Sequence, residues 1–128
     1  MFYYGPLLSL FVVNRIWEVN VIRERGMRMF DRSAHLFIDF EFTMPEGKNN
    51  PFGFFPEIIE VGWILVKEDK IIDQYTSYVK PEAFPTLTSR CKKFLNITDE
   101  HVNQGILFEE LVILLKKVNS EKPAIVTW

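Results

Sequence analysis

Residues 36–43 read LFIDFEFT, an apolar run of strand length that carries two acids, Asp39 and Glu41, two positions apart. Side chains alternate faces along a strand, so Asp39 and Glu41 project together. Ile38, Phe40 and Phe42 point to the opposite face and can anchor the strand in a core. Two carboxylates on one face repel, and burial makes the repulsion worse. A divalent cation relieves it. Hard oxygen ligands of this kind suit Mg²⁺ or Mn²⁺, which keep several waters and bind substrate phosphates. Two such ions about 4 Å apart can activate a water and steady the leaving oxygen in phosphodiester cleavage. The plainer alternative is a solvated strand face, the commonest setting of a D-x-E pattern, but the flanks here are unusually apolar for one.

Working outward, residues 44–56 (MPEGKNNPFGFFP) are rich in Pro, Gly and Asn and read as a loop with aromatic content. Residues 57–67 (EIIEVGWILVK) form a strand dense in β-branched side chains. A short polar link at 68–70 leads into a third strand at 71–79, and the two pair as an antiparallel hairpin. Pro81 and Pro85 bracket a loop at 80–85. The period then changes from two to about 3.6. Residues 88–95 predict a short helix, and Thr98 an N-cap with Asp99 and Glu100 in the favourable first turn. Residues 108–118 predict an amphipathic helix with Leu111, Val112, Leu114, Leu115 and Val118 inward and Lys116 and Lys117 at its C-terminal end. After a turn at 119–123, AIVTW opens another strand. The order β-β-β-α-α-β describes one α/β unit without repeat or linker.

The chain has 128 residues, enough for one domain with a real core. With 48% apolar and 25% charged residues, disorder is excluded as its general state. Twelve Phe argue for a dense aromatic core or for stacking surfaces. A net charge of −2 gives no overall electrostatic footprint for nucleic acid, and leaves open a local basic groove or binding through a metal. Cys91, the single cysteine, rules out an internal disulfide and fits a reducing, cytoplasmic setting. It reads as a packed or surface thiol rather than a nucleophile.

Residues 1–33 form an N-terminal extension. The apolar stretch at 2–13 is shorter than the ~20 residues of a spanning helix and is interrupted by Gly5 and Pro6, so no stable membrane insertion is expected. It lacks the basic start and cleavage site of a secretory signal. Three readings compete: an added helix, a weak membrane-surface anchor, or translated upstream sequence before a start at Met27 or Met29. The last is favoured because a self-contained strand signal begins just beyond those methionines.

Taken in order, FIDFEFT, FPEIIEVGWILV, SRCKKFLNITDEHV and AIVTW resemble the DEDDh 3′→5′ exonucleases, in their KapD- and Eri-type branch, over residues 36–128. The resemblance implies a ribonuclease H-like mixed sheet with three N-terminal strands, helices and a fourth strand at the C-terminus. It makes residues 34–128 the N-terminal part of an exonuclease domain. It also implies two Mg²⁺ or Mn²⁺ ions and a single-stranded RNA or DNA 3′ end as substrate. Asp39 and Glu41 match the motif whose acids bind the catalytic metals. Phe42 and Thr43 match positions that hold the 3′-terminal nucleotide. Ile97 and Thr98 match the segment bordering the nucleotide pocket. EIIEVG, residues 57–62, matches a strand with a structural role.

The family also uses a third acid on the helix after the strand that AIVTW resembles, then a His as general base and a fourth acid five residues beyond it. The sequence ends before those positions. His101 precedes them and is expected on a helix surface; His35, at a strand start, is expected to be structural. A missing general base removes typically about 10²–10⁴-fold in rate, and an uncovered sheet face with an unpaired edge invites aggregation. The chain alone is therefore expected to be inactive and poorly stable, and the complete gene product active.

Other residues carry two readings each. Phe52, Phe54 and Phe55 either stack on an unpaired base or cap the core beneath their loop. Arg90, Lys92 and Lys93 either touch phosphates or line a solvated helix face. Trp63 and Trp128 are assigned to the core. A non-catalytic regulatory module on the same fold, such as a sporulation inhibitor, is the rival to the exonuclease; an oligoribonuclease preferring very short substrates differs from it only in pocket shape.

Overall fold

The computed structural model describes residues 34–127. The readings of the N-terminal extension and of Trp128 fall outside the described residues. Strand β1 is His35–Phe42, β2 is Ile58–Lys67 and β3 is Lys70–Tyr78. Helices α1 (Ser89–Leu95), α2 (Asp99–Asn103) and α3 (Phe108–Val118) follow, three where the expected order has two because Thr98 starts a separate short helix, then a 3₁₀ turn at Asn119–Glu121 and β4 at Ala124–Val126. The sheet runs β3-β2-β1-β4. β2 is antiparallel to both β1 and β3, whereas β4 lies parallel to β1. A parallel neighbour requires a long crossover, and the three helices supply it.

Local chemistry explains the boundaries. Glu68 and Asp69, between β2 and β3, both have positive φ (51° and 61°), as a type I′ turn requires to match strand twist. Thr88 is the N-cap of α1 rather than its first residue, its hydroxyl accepting the Cys91 N–H at 3.1 Å. Asn96 closes α1 in the left-handed conformation. Thr98 caps α2 as expected, with Asp99 and Glu100 in the first turn.

One core forms from Leu36 and Ile38 of β1 with Val61, Trp63 and Leu65 of β2, covered by Leu111 and Val118 of α3. Trp63 is in this core as expected; it stacks on Tyr75 with ring centroids 4.5 Å apart and donates its indole N–H to Asp73 at 3.0 Å. The second core gathers Ile59, Leu87, Cys91, Leu95, Ile97 and Val102 between the sheet and the two short helices.

Phe42 departs from the alternation expected of β1. Between Glu41 and Phe42 the register with β2 shifts, Glu41 facing Glu60 and Phe42 facing Ile58. The extra β2 residue, Ile59, turns into the second core and is fully buried. Beyond this bulge Phe42 no longer follows Ile38 and Phe40: it is 45% exposed and anchors no core.

Candidate active site

Asp39 lies opposite Gly62 and Glu41 opposite Glu60, in register across the β1/β2 ladder. Directly opposed residues share a face of the sheet, so Asp39, Glu41 and Glu60 project together, away from the face that α3 covers. Asp39 and Glu41 are half-buried and Glu60 is only 4% exposed. Gly62 brings no side chain opposite Asp39.

The electrostatics follow from this packing. Burial, and then the charge of Asp39, raise the Glu41 carboxyl above its ordinary range. Glu60 is pushed up to about 8 by burial first, then by Glu41 and Asp39. Burial beside two acids thus favours the protonated form of Glu60. Next in the row is Tyr78, opposite Glu60 on β3, its hydroxyl raised by burial and by Glu60. Its ring stacks on His101, with centroids 5.3 Å apart and planes 5° from parallel.

His101 is thus half-buried against a strand, a more enclosed place than the helix surface expected for it. Its Nδ1 accepts the Thr98 N–H at 3.2 Å, completing a capping box. That is a structural engagement, as is the burial of His35 at the start of β1.

The other sequence-nominated residues are dispersed around the end of β1. Thr43 is buried; its N–H donates to the Glu57 carbonyl at 2.8 Å, and its hydroxyl accepts the Glu57 N–H at 2.8 Å. Ile97 is buried in the second core, and Thr98 is an exposed cap. α1 lies beside the end of β1, with Cys91 Sγ 4.0 Å from the Phe42 carbonyl oxygen. Cys91 is buried and its thiol raised mainly by that burial, which makes it the packed thiol expected. Lys92 pairs with Asp99, whose carboxyl that bond lowers, so its charge is already engaged; Arg90 and Lys93 stand exposed.

Sequence reasoning assigned Glu60 only to a structural strand. Its approach to Glu41 depends on the pairing of two segments, and no local signal in EIIEVG announces it. Among the described residues no three His, Cys, Asp or Glu side chains converge to hold a metal ion. Asp39 and Glu41 are nonetheless hard oxygen donors on one face, and a positive charge between them would offset their mutual repulsion. They fit two of the oxygen ligands of a hard divalent cation.

Residues 36–121 match the family of the RNase T type described as Exonuclease. The chain belongs to the DEDDh 3′–5′ exonuclease family. Over 94 residues it is 49% identical to the probable 3′-5′ exonuclease KapD of Bacillus subtilis (strain 168), an alignment covering 73% of this chain and 46% of that one. Over 88 residues it is 40% identical to the 3′-5′ exonuclease eri1 of Schizosaccharomyces pombe, covering 64% of this chain and 29% of the relative. The nuclease domain of 3′hExo, described as a DEDDh family member bound to rAMP, superposes with a TM-score of 0.62 at 28% identity, over 75% of this chain and 52% of that one. The chain therefore spans about half, or less, of the length of these relatives. Its mixed four-stranded sheet with helices is the ribonuclease H-like nuclease fold that the resemblance implied.

Proposed function

We propose that the full-length protein is a metal-dependent 3′→5′ exonuclease that hydrolyses phosphodiester bonds at single-stranded RNA or DNA ends. The observation that carries this is the pair Asp39 and Glu41, half-buried on one sheet face with the buried Glu60 opposite. Support comes from the relatives named as 3′-5′ exonucleases, and from a structural neighbour at 27% identity and TM-score 0.62 whose subject is 3′-end specific recognition of a histone mRNA stem-loop. Asp39 and Glu41 would hold Mg²⁺ or Mn²⁺, which when bound polarises a phosphate and lowers the pKa of a water. Phe42, exposed beside them, offers a ring to the terminal nucleotide, and the Thr43–Glu57 clasp fixes its position. The resemblance assigns Ile97 and Thr98 to the border of the nucleotide pocket; Thr98 stands exposed as the cap of α2, and Ile97 is buried in the second core. Residues 34–128 form the first part of the catalytic domain, working in a cytoplasmic compartment to which the unoxidised, buried Cys91 is suited.

The test is degradation of 5′-labelled single-stranded oligonucleotides by the full-length protein with Mg²⁺ or Mn²⁺. Shortening from the 3′ end is expected, and Asp39→Asn or Glu41→Gln should slow it by on the order of 10² or more with unchanged circular dichroism. Absence of shortening in the unmodified protein, or its persistence in both variants, contradicts the proposal. Chain 1–128 alone is expected to degrade nothing.

A non-catalytic regulatory module on the same fold is the rival reading. Manganese binding without hydrolysis in the full-length protein would select it.

A further inference from the structure

The rings of residues 52–55 do not cap the core: none of them joins either core cluster. Phe52 stands fully in solvent and Phe55 is 52% exposed. Phe54 and Phe55 both gather on Phe84, with ring centroids 5.1 and 5.5 Å away, the second edge-on. Rings are among the side chains that gain most from burial, so several of them grouped outside the core mark a contact surface.

The group is braced rather than loose. The Thr43–Glu57 clasp closes the loop at residues 44–56. Inside it, the Phe54 N–H donates to the Pro51 carbonyl at 3.1 Å, and the Thr88 hydroxyl donates to the Met44 carbonyl at 2.8 Å. The Glu57 carboxylate accepts the N–H groups of Glu82, Ala83 and Phe84 at 2.8, 2.9 and 2.8 Å, which sets Phe84 against the loop.

The rings are also continuous with the candidate site. Thr43 follows Glu41 by two positions, and Phe55 precedes Thr43's partner Glu57 by two. An extended chain advances at most about 3.6 Å per residue, so the Phe55 backbone is within about 7 Å of that clasp. A strand whose 3′ end reached Asp39 and Glu41 would pass within reach of these rings.

We propose that the Phe54–Phe55–Phe84 ring group forms a stacking platform for unpaired nucleobases upstream of the 3′ end. This rests on the exonuclease reading of the Asp39–Glu41 site. Every base has a π-face, so the platform is tolerant of sequence and demands only that the bases be unpaired. It selects single strands over duplexes and longer strands over very short ones.

The test is fluorescence anisotropy with the full-length protein, Ca²⁺ replacing Mg²⁺, and three 5′-fluorescein-labelled oligodeoxythymidylates: a dinucleotide, a decamer, and a decamer abasic at the second to fourth positions from its 3′ end. Wild type is expected to bind the intact decamer tightest. Phe55→Ala should weaken that complex by on the order of tenfold and leave the dinucleotide and the abasic decamer unchanged. The Phe55 ring is half exposed and outside both cores, so the variant is expected to fold, which circular dichroism checks. If the variant matches wild type on the decamer while both bind the dinucleotide, the platform is overturned and the site reading stands. If it weakens all three ligands equally, the rings act on the fold and the platform is likewise overturned. If wild type binds none of them, both readings fall.

Discussion

Glu60 faces Glu41 across the ladder at 4% exposure, its carboxyl pushed up to about 8 by burial and then by Glu41 and Asp39. In the unfolded chain it titrates near 4.5. Between those values the folded state holds a proton that the unfolded state has lost, so stability is full below the lower value and falls as pH rises through the window. Glu41, raised for the same reasons, acts in the same direction. The steepest slope from one group is about 1.4 kcal/mol per pH unit. Metal-free Tm is expected to drop between pH 5 and pH 8, and Glu60→Gln to flatten the drop; a wild-type Tm that rises over this range contradicts the assignment. The acids Asp39 and Glu41 were legible from strand alternation alone. Glu60 was not, since its partner lies 19 positions earlier in the chain, Glu41, and only register brings them together.

At the scale of elements, two small devices hold the site's surroundings. Glu57, just before β2, ties the loop at 80–85 to the end of β1 by taking three backbone N–H groups on one carboxylate. Water can replace part of this, because two of those donors are exposed. Glu57→Ala is expected to cost about 2 kcal/mol in urea unfolding, and Glu57→Gln less, since the amide keeps one acceptor. Gly105 lies against the end of β3. A Cβ there would sit 2.6 Å from the Tyr78 carbonyl carbon and oxygen and 2.8 Å from the Val79 nitrogen. These are backbone atoms that cannot swing aside, and the short parallel bridge of Val79 with Ile106 depends on the approach. Gly105→Ala is therefore expected to lower the urea midpoint, at a cost of about 1–3 kcal/mol. An unchanged midpoint would show that the approach is not needed. The Thr98 cap and the hairpin were readable from neighbouring residues, whereas both of these devices link distant segments.

Over the whole molecule, burial is graded across the sheet. Central β2 is buried along most of its length, whereas β4 pairs only through residues 124–126 and exposes Ala124 and Ile125. Local opening follows such gradients. Amide exchange in chain 1–128 is expected to be slowest in β1 and β2 and fastest in β4, as measured by hydrogen-exchange NMR; protection of β4 equal to that of β2 would contradict it. Among the described residues no helix is long and apolar enough to cross a membrane.

The amino-acid sequence by itself determined the three leading strands and the fourth after the helices, the acid pair on one face of β1 and the inward Leu111, Leu114, Leu115 and Val118 of α3, because periodicity and caps act over a few residues. The tertiary structure alone decided that Phe42 leaves the core at a bulge, that Glu60 stands opposite Glu41, and that Phe54 and Phe55 collect on Phe84. Each of those depends on how strands and loops far apart in the chain register against one another, and register is set by the packing of the whole rather than by any local run of residues.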